Sequence, residues 1–175
     1  MNNSGITVKE VIIAVFLIAF KGEKDCTRNE ELIEEKSRIK LFISNCINWI
    51  SASCNYPFIS LTEPTTPQGM IGQTRIRNIF VGTEDSAEQF KNKIGKQEPI
   101  LISEDSENIF VVDNKSEILK HANEISAIIE KVIAEERANG IKRIKLAIFC
   151  PQEEKELTNA MLYEVRSLGI ELLIP

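Results

Sequence analysis

The last third of the chain constrains the fold more than any other part. "KRIKLAIF" at 142–149 is an apolar run rich in β-branched residues. Pro151 then opens a helical pattern in which Leu157, Met161, Val165 and Leu168 share one side, Gly169 ends it, and "IELLIP" closes the chain. Two strands separated by a helix cannot form a hairpin. They predict a parallel pair with a right-handed crossover. Immediately upstream, Ser116 and Glu117 open another helix whose apolar face is Leu119, Ala122, Ile125, Ile129, Val132 and Ile133. Asn139-Gly140 supplies its left-handed stop.

The first half reads as helical. Thr7-Val8-Lys9-Glu10 has the spacing of a capping box, and "VIIAVFLIAF" at 11–20 follows it. That run predicts a buried helix over 8–20, apolar nearly all round. It is too short to span a bilayer, which takes about 20 apolar residues as a helix. It also lacks the basic start and small-residue cleavage site of a secretory signal. Thr27-Arg28-Asn29-Glu30 repeats the capping pattern ahead of a helix to about residue 54, striped by Leu32, Ile39, Ile43, Cys46, Ile47, Ile50 and Cys54. Ser37 is a position where this helix could break in two. Residues 55–74 hold Pro57, Pro64, Pro67, Gly69 and Gly72, the punctuation of a loop. "RIRNIFV" at 75–81 reads as a strand, and Ser86 with Gln89 starts a short helix that Gly95 ends.

The expected architecture is α/β, with a mixed sheet, a C-terminal parallel βαβ unit and an N-terminal helical region. Its parts are a helical region at 1–54, a Pro/Gly loop at 55–74 and an α/β core at 75–175, together forming one folded unit. Ile12, Phe16, Ile43, Ile47, Ile129, Leu146 and Ile148 are the expected core. The chain has 175 residues, enough for one well-buried core. A net charge of −5 argues against a generally basic nucleic-acid surface. The four cysteines, Cys26, Cys46, Cys54 and Cys150, have no paired spacing. Cys46 and Cys54 sit about 12 Å apart along one helix, too far for a disulfide. Reduced thiols point to a cytoplasmic location, and the shortness of the 11–20 apolar run points to no membrane partner.

Chemistry concentrates in "EPILISEDSENIFVVDNK" at 98–115. It reads as two short strands around the turn "EDSEN", ending in Asp113-Asn114-Lys115. With the elements that follow, this stretch resembles the core of the PD-(D/E)XK, restriction-endonuclease-like nuclease superfamily. The resemblance covers the element order of 75–175. It implies that Asp113 is a metal-binding carboxylate and that Lys115 positions the attacking water. Two carboxylates would hold magnesium, and the ammonium would steady phosphate charge. Pro99 matches the first half of the motif, but Ile100 stands where the family places its aspartate. Glu98 is one residue away, and strand alternation turns it to the other face. A catalytically degenerate site is therefore expected, with magnesium bound only if the site is active. The plainer reading is that Asp113 and Asn114 end a strand and start a helix.

Arg75 and Arg77 on "TRIRNIF", after short helices, could form the wing of a winged helix. The mixed charges at 28–40 equally describe a solvated helix face. His121 lies beside an apolar helix face and reads as a bystander. Two functional classes remain. One is a nuclease-like or nucleic-acid-associated domain; the other is a non-enzymatic regulatory module that binds a small ligand or a protein partner through 55–74.

Overall fold

The computed structural model describes residues 8–18, 26–53, 70–71, 73–84, 109–112, 115–151, 155–165 and 170–173. The expected helix over 8–20 is a strand: β1 runs Glu10–Ile18. It lies between two parallel partners, β3 (Thr74–Gly82) and β5 (Arg143–Phe149). Residues 11 to 18 all have 0% exposure, because layers cover both faces of the strand. A strand buried on both faces needs no polar alternation, so its pattern looks like that of a buried helix. Thr7 of the expected cap lies outside the described residues, and Glu10 belongs to the strand.

The sheet order is β2-β3-β1-β5-β6, where β2 is Met70–Ile71 and β6 is Glu171–Leu173. The strand β4 (Ile109–Val111) pairs with the carboxyl end of β3, while β2 pairs with its amino end. Only β2 is antiparallel, so the sheet is mixed. The hairpin expected within 98–113 would have β4 as its second strand; β4 runs parallel to β3, and residues 98–108 lie outside the described residues.

Helices cover both faces. On one, α1 (Asn29–Ser53) presents Ile39, Ile43, Cys46 and Ile50 to Ile12, Ala14, Phe16 and Ile18 of β1. It is unbroken at Ser37. Its start is held by Glu31 rather than Glu30: the Thr27 amide and hydroxyl both donate to the Glu31 carboxylate at 3.1 Å. On the other face, Val11, Ile13, Val15 and Leu17 of β1 meet α2 (Lys115–Lys120), α3 (Ala122–Ala138) and α4 (Lys155–Val165). The single helix expected after Ser116 is thus two, divided at His121. The break is shallow, since His121 N–H still donates to Glu117 O and Ile125 N–H to His121 O, each at 3.0 Å.

The end of α3 follows the expected stop. Gly140 has φ +84°, its N–H donates to Arg137 O, and Ile141 N–H donates to Glu136 O. This is a Schellman arrangement, which a residue with a Cβ disfavours. Beyond it, β5 and β6 are parallel and joined by α4, as the C-terminal pattern requires. Of the expected core, Ile12, Phe16, Ile43, Ile129, Leu146 and Ile148 are buried. Ile47 lies on α1, but its side chain is outside the description.

Candidate functional site at the carboxyl edge of the sheet

The chain steps outward from β1 to β3 to β4, then returns to the other side of β1 for β5 and β6. The connecting helices change face with it, α1 on one side and α2 to α4 on the other. The order of the parallel strands therefore reverses between β1 and β5. In open α/β sheets, loops leave the carboxyl ends of adjacent strands in opposite directions at such a point and open a crevice there.

The described residues at and just beyond the carboxyl ends of β1, β3 and β5 are Ile18, Gly82, Thr83, Glu84, Phe149, Cys150 and Pro151. Gly82 is required by a close approach: a Cβ on it would lie 2.3 Å from the Ile18 carbonyl oxygen and 2.9 Å from Phe80 Cζ. Thr83 and Pro151 are buried, Cys150 is half-buried and Glu84 is exposed. Below them lies an aromatic group. Phe16 and Phe149 stack at 5.2 Å, and the half-buried Trp49 meets Phe149 edge-on at 5.5 Å. Such offset and edge-on contacts suit the quadrupoles of the rings. The aromatic group belongs to the core under α1, and the described strand ends above it add one hydroxyl, one thiol and one carboxylate.

The nuclease resemblance singles out Glu98, Asp113 and Lys115. Glu98 and Asp113 lie outside the described residues, and Lys115 is placed only as the first residue of α2, three positions after Val112. No meeting of the three is described. Among the described residues, no three His, Cys, Asp or Glu side chains are close enough to hold a metal ion. No described helix is long and apolar enough to cross a membrane.

The winged-helix expectation fails on its arginines. Arg75 and Arg77 stand on β3, inside the sheet, and both bind the fully buried Glu136 of α3 at 2.9 Å. Arg77 also reaches Glu135 at 2.9 Å. Burial alone would lower the pKa of the Arg77 guanidinium, but Glu135 and Glu136 outweigh it and raise the pKa. These arginines join strand to helix and are not a wing. Their partners are about 60 residues away in sequence, and no local pattern announces such a pair.

His121 is partly exposed, 3.0 Å from Glu124 through Nδ1 and tilted against Phe110. Cys46 is buried against the sheet, and burial drives its thiol far above the usual range, so it is no nucleophile. Comparison of the chain with protein-family models, curated proteins and solved structures finds no match.

Proposed function

We propose that this chain is a non-enzymatic regulatory domain that binds a small nucleotide-like ligand in the crevice between the carboxyl ends of β1 and β5. The observation that carries this reading is the reversal of strand order beside β1, with the helices changing face. That arrangement takes ligands at the reversal point in open α/β sheets, and its mononucleotide-binding form is built from the same alternation. The aromatic group of Trp49, Phe149 and Phe16 stiffens the end of β5 beside the reversal point. The test is calorimetry with nucleoside mono-, di- and triphosphates. Binding that Cys150→Trp weakens tenfold or more, with the circular dichroism unchanged, supports the reading. Absence of binding across the panel removes it.

A second reading is a catalytically degenerate nuclease-like domain, supported by the acid-x-Lys sequence that follows β4 and ends at the first residue of α2. It predicts no cleavage of DNA or RNA with magnesium or manganese. Cleavage that Asp113→Ala and Lys115→Ala both abolish would instead establish an active nuclease.

A further inference from the structure

The opposite, amino-terminal edge of the sheet carries a different feature. A cavity of about 250 Å³ is lined by Arg137, Lys142, Arg143, Ile144, Lys145, Ile170 and Glu171. Four cations and one carboxylate face it, a surplus of three positive charges in a chain whose net charge is −5. Glu10 at the start of β1 reduces that surplus to two, accepting Lys145 Nζ at 3.3 Å and Arg143 Nη2 at 3.5 Å. Arg137 and Lys142 have no carboxylate partner among the described residues.

The plain explanation for cations at this place is the end of α3, whose dipole favours positive charge. It accounts for part of the cluster only. The carbonyls of Glu135, Glu136 and Arg137 already accept hydrogen bonds from the backbone N–H groups of Asn139, Gly140 and Ile141. The side chains of Arg137 and Lys142 are therefore not needed to satisfy them. Their mutual repulsion with Arg143 and Lys145 is left to solvent or to an anion. Guanidinium groups match phosphate oxygens in a planar fork, and lysines add point charge. A volume below the roughly 300–1,000 Å³ of ordinary ligand pockets suits a small anion rather than a whole nucleotide.

We propose that this cavity is a second ligand site, binding a phosphate group at the amino-terminal edge through Arg137, Lys142, Arg143 and Lys145. Glu10 holds two of these cations in place from behind the site. The phosphate is either a free inorganic anion or one carried by a nucleic acid. The site is separate from the carboxyl-edge crevice, so each can fail without the other.

The experiment is calorimetric titration of the protein with inorganic pyrophosphate at fixed ionic strength. We expect one-to-one binding that Arg137→Gln combined with Lys142→Gln weakens at least tenfold. Lys40→Gln, which removes an exposed cation from α1, should leave it unchanged. A single-stranded oligonucleotide lacking terminal phosphates is then added to the pyrophosphate complex. Competition assigns the site to nucleic-acid phosphate and its absence assigns it to a free anion; both keep the site. No heat with pyrophosphate, or an equal loss in Lys40→Gln, would overturn the proposal.

Discussion

The two edges of one sheet differ in kind. At the amino edge, side chains of the strands themselves are charged: Glu10, Arg75, Arg77, Arg143 and Lys145, answered by Glu135 and Glu136 from α3. At the carboxyl edge, the same strands end in Ile18, Gly82 and Phe149, over an aromatic group. Residue pairs at the amino edge are far apart in sequence and fix α3 against β3. Among the described residues of the other edge only Glu84 is charged. One edge is tied by the protein's own ions around a cationic cavity, and the other holds the reversal of strand order.

The largest effects should come from breaking the tied edge. Glu136→Ala removes a fully buried carboxylate shared by two arginines, and breaking a buried pair costs 3–5 kcal/mol in general. Arg75 is one-third exposed and can turn to water, so a loss of about 3 kcal/mol in urea unfolding is expected. A loss below about 1 kcal/mol, the range of surface pairs, would show that the network does not hold the edge. Leu146→Ala, in the central strand β5, should cost about 2–5 kcal/mol through its cavity, and near-neutral stability would make that strand peripheral.

Smaller changes sharpen the carboxyl edge. Gly82→Ala forces the Ile18 carbonyl and the Phe80 ring apart and should cost about 1–3 kcal/mol, read as a lower urea midpoint with an unchanged slope. An unaltered midpoint would mean that the strand ends are not packed so closely. Least disruptive is the thiol chemistry. Cys46 should resist alkylation at pH 8 while the half-buried Cys26 and Cys150 react, as peptide mapping would show. Its folded pKa lies above the unfolded value, so its contribution is complete below the unfolded pKa and is lost as pH rises above it. Stability should therefore decline above about pH 9. Cys46→Ala should flatten that decline.

Sequence made some of this plain and hid the rest for physical reasons. The C-terminal βαβ unit, the stop at Gly140 and the stripe on α1 were legible because each is a local pattern with its own period or cap. β1 was not, since "VIIAVFLI" is buried on both faces and shows no alternation. Misreading β1 as a helix also hid the strand order, because the reversal lies beside that strand. Arg75 and Arg77 could not be paired with Glu136 from local spacing. The break at His121 keeps nearly regular hydrogen bonding, so no Pro or Gly marks it. Of the site residues suggested by the nuclease resemblance, Glu98 and Asp113 lie outside the described residues, whereas the crevice emerged from topology.

The claim that the carboxyl-edge crevice takes the ligand is tested most directly by amide chemical-shift mapping. Protein carrying Arg137→Gln and Lys142→Gln, which removes two of the four cations at the amino-edge cavity, is titrated with the tightest-binding nucleotide from the calorimetric panel. The largest shifts should fall on Ile18, Gly82, Thr83, Glu84, Phe149 and Cys150, around the β1/β5 reversal. Shifts centred on the exposed face of α1 or on residues 137–145, with those six unmoved, would contradict it.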